Sequence, residues 1–170
     1  MIKQINNCLD NYLEFDNNEL YINNLVRVFG GAIRDSIAGD VINDVDILCG
    51  SRSIHAIESI LESHGYIYME KIITKDIMSL YSDINVIAEP RNWMKGNKLV
   101  QLIRPRIISQ YKIDYEENFR NLIANVDLSC CGVSYAKGIL YENYPNAIRH
   151  CVNKSFFINE SAHMYSQKRA

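Results

Sequence analysis

The apolar positions between residues 26 and 48 change from the spacing of a strand to that of a helix and back. Val26 to Phe29 is an apolar, β-branched run, which predicts a buried strand. Gly30-Gly31 ends this strand, and Ala32 to Ala38 places its apolar residues on one side of a short helix that Gly39 ends. Val45 to Leu48 then begins a second strand. We expect the rest of the chain to be organised around this strand–turn–helix–strand unit.

The same spacings predict helices and strands along the rest of the chain. The predicted helices are Ile2 to Leu13, Ser53 to His64, Tyr115 to Ile123, Pro145 to His150 and a basic helical tail over 160–170. The predicted strands are Tyr66 to Met69, Asp83 to Ala88, Lys98 to Ile103, Val126 to Tyr135, Gly138 to Tyr141 and Phe156 to Ile158. A turn near 90–97 is predicted to join the second and third of these strands as a hairpin. Helices mixed with hairpins favour an α/β (α+β) fold with a mixed sheet.

Length and charge limit the classes of protein to consider. With 170 residues, of which 48% are hydrophobic, the chain suits one domain with a proper core. Its net charge of -2 does not indicate capture of nucleic acid by broad electrostatics, although it leaves room for a local basic patch. The N-terminus lacks the apolar core of a signal peptide, and no apolar run approaches the length of a membrane span. We therefore expect a soluble, cytoplasmic protein without membrane contact.

Cysteine and histidine spacing argues against a disulfide framework and a zinc site. The cysteines are Cys8, Cys49, Cys130, Cys131 and Cys151, and the histidines are His55, His64, His150 and His163. The cysteines are odd in number and form no CxxC pair, and the histidines lack metal-ligand spacing, which favours reduced thiols in the cytosol. Cys130-Cys131 is predicted to be a pair of small core thiols, because neighbouring residues of a strand face opposite ways.

Two groups within the 26–48 stretch suit a metal ion and a phosphate. Asp44 and Asp46 are two apart on the predicted strand, so both carboxylates project from one face. Such a pair repels unless a cation lies between, and its hard oxygens suit Mg²⁺ or Mn²⁺, which bridge the phosphates of a nucleotide. Gly30-Gly31 lets the backbone approach a phosphate at the N-terminus of a helix, where Arg34 can add a fork of donors.

Asp127 is the third candidate carboxylate. It is predicted to lie at the start of the strand Val126 to Tyr135, close to the strand that carries the acidic pair. From there it can complete a two-metal site and help to activate a hydroxyl for attack on an α-phosphate. An ordinary aspartate at the start of a strand explains the same residue equally well.

The stretch GGAIRDSIAGDVINDVDI resembles the head-domain signature of the class II tRNA nucleotidyltransferases (CCA-adding enzymes) and bacterial poly(A) polymerases. That signature is GG-x-h-R-D, a small or leucine-rich helix, and D-x-D followed by an apolar residue, and the interval from Gly31 to Asp44 matches it without a gap. Further on, NVDLSCCGVSY resembles the family's R-R-D-F-T-I-N-A-L-A-Y motif. Asp127 falls on its Asp, Ser129 on its Thr and Tyr135 on its Tyr.

This resemblance implies the nucleotidyltransferase fold related to DNA polymerase beta, a small mixed sheet flanked by helices. It also implies transfer of a nucleotidyl group from an NTP, ATP or CTP, to an acceptor hydroxyl, with release of pyrophosphate. Carried over by position, the metal ligands are Asp44, Asp46 and Asp127, and the triphosphate-binding residues are Gly30, Gly31 and Arg34. The acceptor that the resemblance favours is the 3′ end of an RNA such as tRNA.

The sequence departs from the family in two respects. Asn125 and Val126 replace two arginines and Cys131 replaces an asparagine, which puts a triphosphate contact in question. Nothing after Asp127 matches the E-D-x-x-R element of the family's helical neck, which reads the incoming base. We therefore expect a single head-like domain over 1–170, with a protein partner or an oligomer supplying the missing helical region.

Two other functions remain open from the residues alone. The acceptor hydroxyl can belong to a protein or a small molecule, as in minimal nucleotidyltransferases of toxin–antitoxin type, although these usually carry GS in place of Gly30-Gly31. The chain can also be a non-catalytic nucleotide-binding or interaction module that keeps the fold. The glycine turn, Arg34 and the three aspartates argue against that loss of activity, whereas the missing base-reading element argues for it.

Overall fold

The computed structural model describes residues 1–50, 52–70, 90–104, 115–124, 126 and 128–158. Three sequence predictions lie outside the described residues: the strand Asp83 to Ala88, the candidate carboxylate Asp127 and the basic helical tail over 160–170. Within the described ranges, no helix has the length and apolar character that crossing a bilayer requires.

The described residues form five α-helices, two short 3-10 helices and seven strands. The α-helices are α1 (Ile2–Leu13), α2 (Gly31–Ala38), α3 (Ile54–Ser63), α4 (Tyr115–Ala124) and α5 (Ala147–Val152), and the 3-10 helices are Asn17–Leu20 and Ser129–Cys131. The strands are β1 (Val26–Phe29), β2 (Asp44–Cys49), β3 (Ile67–Met69), β4 (Arg91–Lys95), β5 (Lys98–Ile103), β6 (Val133–Ala136) and β7 (Ile139–Glu142). The predicted strand–turn–helix–strand unit is confirmed as β1, α2 and β2.

The seven strands make one sheet in the order β3-β4-β5-β2-β1-β6-β7. Strands β2 and β5 pair in parallel, and the other described neighbours pair antiparallel. The mixed sheet flanked by helices confirms the α/β fold class predicted from the sequence. Strands β1 and β2 lie inside the sheet, each between two other strands.

Helices cover the two faces of the sheet unequally. Helices α1, α2 and α3 bury their apolar stripes against one face, in a core that includes Ile5, Leu9, Leu13, Ile33, Ile57, Leu61, Val28, Val45, Ile47, Val100 and Leu102. Helix α4 packs on the opposite face, in a smaller cluster of Phe29, Leu48, Ile103, Phe119, Leu122 and Ile123. Because side chains alternate along a strand, Asp44 and Asp46 project from the face on which α4 lies.

The hairpin partner predicted for β5 is wrong. Strand β4, Arg91–Lys95, pairs with β5 through the two-residue turn Gly96-Asn97, within the stretch that the sequence predicted to be a turn. Gly96 has a φ of 59°, a left-handed conformation that glycine adopts readily and that tight hairpin turns require. Trp93 is buried in the main core, which places this strand inside the fold. Pro90 therefore precedes a strand and does not mark the turn.

The prediction of one long strand from Val126 to Tyr135 is also wrong, because strand β6 begins only at Val133. A 3-10 helix, Ser129–Cys131, comes before it and satisfies its backbone locally: the N–H of Cys131 donates to the carbonyl of Leu128 (2.8 Å), and that of Gly132 to Ser129 (3.1 Å). Ser129 Oγ accepts the N–H of Phe157 (2.8 Å) and contacts His150 Nδ1 (2.9 Å). These local hydrogen bonds replace a sheet ladder.

The C-terminal part of the described chain also differs from the prediction. Phe156 to Ile158 was expected to form a short strand, but its sheet-like pairing is a single bridge between Ile158 and Leu128. The short helix expected from Pro145 lies slightly later, at Ala147–Val152. The tight turn between β6 and β7 lies at Lys137-Gly138, one residue later than the Ala136-Lys137 turn that the sequence predicts.

Candidate active site

The end of β1, the start of α2 and the first half of β2 meet at one place. Phe29 pairs with Asp46 across the two antiparallel strands, and Gly30 follows Phe29 directly. A β-carbon on Gly30 would lie 3.8 Å from Asp46 Oδ2. Gly30 also has φ 73° and ψ -134°, a combination that side-chain-bearing residues rarely adopt. The glycine therefore leads the chain into α2 while its backbone stays close to the Asp46 carboxylate.

Arg34 folds back over the glycine turn from the first turn of α2. Its backbone N–H donates to the carbonyl of Gly30 (3.1 Å), and a β-carbon on Gly31 would lie 3.6 Å from Arg34 Nη2. Its Nε donates to Asp35 Oδ1 at 2.7 Å. This hydrogen bond to Asp35 is the main cause that raises the pKa of Arg34 above its already high value, so the cation is permanent and fixed in orientation. Asp35 is itself buried and orients the guanidinium.

The Arg34 guanidinium also touches a thiol. Arg34 Nη1 donates at 3.5 Å to Sγ of Cys131, which belongs to the second 3-10 helix. Each of the three guanidinium nitrogens therefore has a different neighbour. Nε donates to Asp35, Nη1 donates to Cys131, and Nη2 lies beside the Gly31 backbone. The nitrogen beside Gly31 is the one that faces the predicted phosphate position.

Asp44 and Asp46 lie on one face of β2, and both are partly exposed. In the parallel partner strand, Leu99 pairs with Asp44 and Gln101 with Asp46. Two carboxylates on one strand face offer the hard oxygen ligands of Mg²⁺, an ion that proteins often hold through one or two carboxylates and the substrate's own phosphates. The donor set therefore fits Mg²⁺ or Mn²⁺. Among the residues that the structure describes, no three His, Cys, Asp or Glu side chains form a metal-binding group.

The structure brings together five of the six residues predicted for the site. Those five are Gly30, Gly31, Arg34, Asp44 and Asp46. Asp127 lies outside the described residues, so its role as third carboxylate stays a prediction. Its described neighbour Leu128 forms a bridge with Ile158.

Tyr12 contacts the start of β2 and was not singled out from the sequence. Its hydroxyl accepts the backbone N–H of Leu99 (2.8 Å) and donates to the carbonyl of Asn43 (2.8 Å), the residue before Asp44. The pKa of Tyr12 is raised above its usual value, mainly by burial. The hydrogen bond with Leu99 opposes this rise, and the charge of Asp44 adds to it. Tyr12 thus joins β5 to the residue that leads into the acidic pair. Helical spacing in α1 gave no sign of this, because the contact depends only on the hydroxyl.

We predict that Tyr12→Phe loosens the start of β2 and weakens Mg²⁺ binding. The variant leaves the Leu99 N–H without its acceptor, which should lower the free energy of unfolding by about 1–3 kcal/mol. It should also raise several-fold the Mg²⁺ concentration needed for half-maximal nucleotide binding, measured by titration. Tyr68→Phe, on the exposed strand β3, is the matched control. An unchanged Mg²⁺ requirement in Tyr12→Phe would limit Tyr12 to a structural role.

Comparison with known proteins identifies the fold. No protein-family profile and no curated protein matches the sequence. Among solved structures, a CCA-adding enzyme in complex with CTP superposes with a TM-score of 0.59 at 12% identity, over 98% of this chain and 38% of that chain. The apo form I of a CCA-adding enzyme gives 0.57 at 13% identity, over 99% and 34%. A tRNA nucleotidyltransferase complexed with a primer tRNA and an incoming ATP analog gives 0.51 at 14% identity, over 79% and 35%.

The similarity is confined to part of each of those proteins. This chain spans little more than a third of their length, and the identities of 12–14% make the likeness one of fold. The mixed sheet flanked by helices is the architecture that the sequence predicted. The chain therefore has the nucleotidyltransferase fold.

Proposed function

We propose that this chain is a nucleotidyltransferase that depends on Mg²⁺ or Mn²⁺. It transfers NMP from an NTP, ATP or CTP, to an acceptor hydroxyl and releases pyrophosphate, and the acceptor is an RNA 3′ end of the tRNA type. One observation carries the proposal. The carboxylate of Asp46 lies beside Gly30, at the N-terminus of α2, and Arg34 turns back over the same glycines. The proposed anion site and the two proposed metal ligands thus adjoin each other.

The triphosphate is assigned to the glycine turn. The backbone N–H groups at the start of α2 and the positive end of its dipole favour an anion, and Gly30-Gly31 leaves no side chain in the way. Arg34 Nη2, which faces Gly31, adds a charged donor. Asp35 holds the guanidinium so that little side-chain entropy is lost on binding.

The metal is assigned to Asp44 and Asp46, with Asp127 as the proposed third ligand. When bound, Mg²⁺ would neutralise charge that develops on the transferring phosphoryl group. The acceptor oxygen attacks the α-phosphorus, a new P–O bond forms, and the bond to the oxygen that bridges to the β-phosphate breaks. Pyrophosphate leaves, and Asp127 is proposed to help remove the hydroxyl proton. Selection of the base is assigned to a protein partner or a further copy.

Incubation with labelled ATP or CTP, Mg²⁺ and total tRNA tests the proposal. We expect the label in RNA, and none when Asp44 and Asp46 are both replaced by Asn. Label in protein alone would contradict an RNA acceptor and favour the protein-modifying alternative. If the wild type and the double variant bind nucleotide alike and neither transfers label, the chain is a binding module and the proposal is wrong.

A further inference from the structure

The guanidinium of Arg34 contacts one of two neighbouring cysteines. Cys131 Sγ accepts from Arg34 Nη1 at 3.5 Å, and Cys130 directly precedes Cys131 in the chain. The two cysteines belong to the 3-10 helix Ser129–Cys131 and not to the predicted strand, while Cys130 lies in the main core and Cys131 packs against it. Cys131 is partly exposed, whereas Cys130 is buried. The thiol pair therefore has one sulfur open to a small reagent and a second beside it.

The surroundings favour loss of one proton from this pair. The hydrogen bond with Cys131 lowers the pKa of Cys130 to about 7, burial opposes the change, and the charge of Arg34 assists it. The nearby Cys151 behaves differently, because burial raises its pKa to about 12 while its Sγ donates to the carbonyl of Cys130 at 3.0 Å. Thiolates and not thiols are the nucleophiles in cysteine chemistry, so the pair is the reactive part of this cluster.

We propose that Cys130 and Cys131 form a peroxide-sensitive dithiol whose oxidation weakens the grip of Arg34 on a triphosphate. The oxidants that react with this dithiol are small hydroperoxides. The thiol chemistry stands on the contact between Arg34 and Cys131 and on the position of Cys130 next to Cys131 in the 3-10 helix, and it does not need the proposed function. Its effect on nucleotide rests on the proposed function, because Arg34 is the triphosphate ligand there.

The oxidation balances with hydrogen peroxide as the only co-reactant. The one proton left on the pair moves to Cys130, and the thiolate of Cys131, the more exposed sulfur, attacks one peroxide oxygen, so an S–O bond forms, the O–O bond breaks and the hydroxide released takes up a proton as water. Cys130 then attacks the sulfenic sulfur, so the S–S bond forms and the S–O bond breaks with loss of a second water. Two thiols and one peroxide thus give one disulfide and two waters.

The disulfide between Cys130 and Cys131 should be easily reduced back to two thiols. Adjacent α-carbons lie about 3.8 Å apart, below the roughly 4.4 Å at which unstrained disulfides begin, so a bond between neighbouring cysteines is strained. Strained disulfides are the more readily reduced ones. Formation of the bond removes the sulfur acceptor from Arg34 Nη1 and shifts the 3-10 helix beside it. Because one rigid guanidinium serves both Cys131 and the glycine turn, the change reaches the phosphate position.

Mass spectrometry of the whole protein after brief peroxide treatment tests the thiol chemistry. We expect the tryptic fragment 121–137, which holds both cysteines, to lose two hydrogens roughly tenfold faster than the partly exposed Cys8 on α1 is oxidised, and dithiothreitol to restore it. In Cys130→Ser, a sulfenic acid at Cys131 should be trapped by dimedone, and Cys8→Ser is the matched control. Oxidation of Cys8 as fast as the pair overturns the proposal, and this comparison needs no variant to fold.

Binding of MgATP before and after oxidation tests the link to Arg34. The oxidised protein should bind MgATP roughly tenfold more weakly, the size expected when a hydrogen bond to a charged group is disturbed. MgATP should also slow oxidation of the pair and leave Cys8 unaffected. Equal binding by the oxidised and reduced proteins overturns the link. A reduced protein that binds no MgATP contradicts the proposed function and the link together, while the mass measurement still decides the thiol chemistry.

Discussion

Replacing Asp46 with asparagine should abolish nucleotidyl transfer while the protein stays folded. Metal coordination supplies several kcal/mol of transition-state stabilisation, and each 1.4 kcal/mol changes a rate about tenfold, so transfer should fall by about 10³-fold or more. The free energy of unfolding should change by only about 1 kcal/mol, because removing one of two like charges on β2 relieves their repulsion. Transfer of labelled nucleotide and urea unfolding of the same preparation measure the two effects.

Asp40→Asn is the matched control for this prediction. Asp40 is exposed and forms an ion pair with Lys154 (Oδ1 to Nζ, 2.7 Å), and surface pairs of this kind contribute little to stability. The same chemical change there should leave both transfer and unfolding nearly unaltered. If Asp46→Asn instead unfolds the protein by several kcal/mol, Asp46 is structural. If Asp40→Asn abolishes transfer as completely as Asp46→Asn does, the loss of transfer is not specific to the acidic pair.

Gly132→Ala should destabilise the protein more than a glycine-to-alanine change at any other glycine of the chain. A β-carbon at Gly132 would clash with the β-carbon of Tyr144 and lie 3.2 Å from the carbonyl oxygen of Ser129. The Gly132 carbonyl also accepts the N–H groups of Asn143 (2.8 Å) and Tyr144 (3.0 Å), so the two segments cannot separate without losing both bonds. We expect a loss of about 3 kcal/mol or more, with a melting temperature lower by roughly 10 °C.

Gly138→Ala separates crowding from backbone strain. Gly138 has a φ of 78° in the β6–β7 turn, and a β-carbon there would meet nothing within 4 Å. The control should therefore cost only the left-handed penalty of about 1–2 kcal/mol. Urea unfolding of both variants, with equal slopes, compares them directly. A smaller loss in Gly132→Ala than in Gly138→Ala would mean that the 3-10 helix and Tyr144 do not approach as closely as the structure has them.

The sequence predicted the fold best where local rules act alone. Val26 to Leu48 has a glycine at each change of direction and apolar residues at the matching period, and β1, α2 and β2 formed as expected. The errors arose where a longer contact decided. Ser129 lies in a 3-10 helix and not in a strand because it forms hydrogen bonds with His150 and Phe157. Trp93 lies in a strand because its side chain packs in the main core. Neither partner can be inferred from spacing.

The candidate site divides in the same way. Residues that are close in the chain, from Gly30 to Asp46, could be grouped from their order because a short helix returns the chain to the same place. Tyr12 and Cys131 could not, since Tyr12 reaches β5 through one hydroxyl and Cys131 reaches Arg34 through one sulfur. Such contacts depend on how distant elements pack.

Strand β2, which carries the acidic pair, lies where the two antiparallel halves of the sheet join. The tight hairpins β4–β5 and β6–β7 close short loops, but pairing Asp46 with Gln101 and Val28 with Tyr135 closes long ones. Closing a long loop costs conformational entropy before the stabilising contacts have formed, so such pairings form late in folding. The β1–α2–β2 unit that carries the acidic pair is therefore joined to β5 and β6 late in folding. A partly folded chain would hold its hairpins and this unit, but not yet the strands that support the unit on either side.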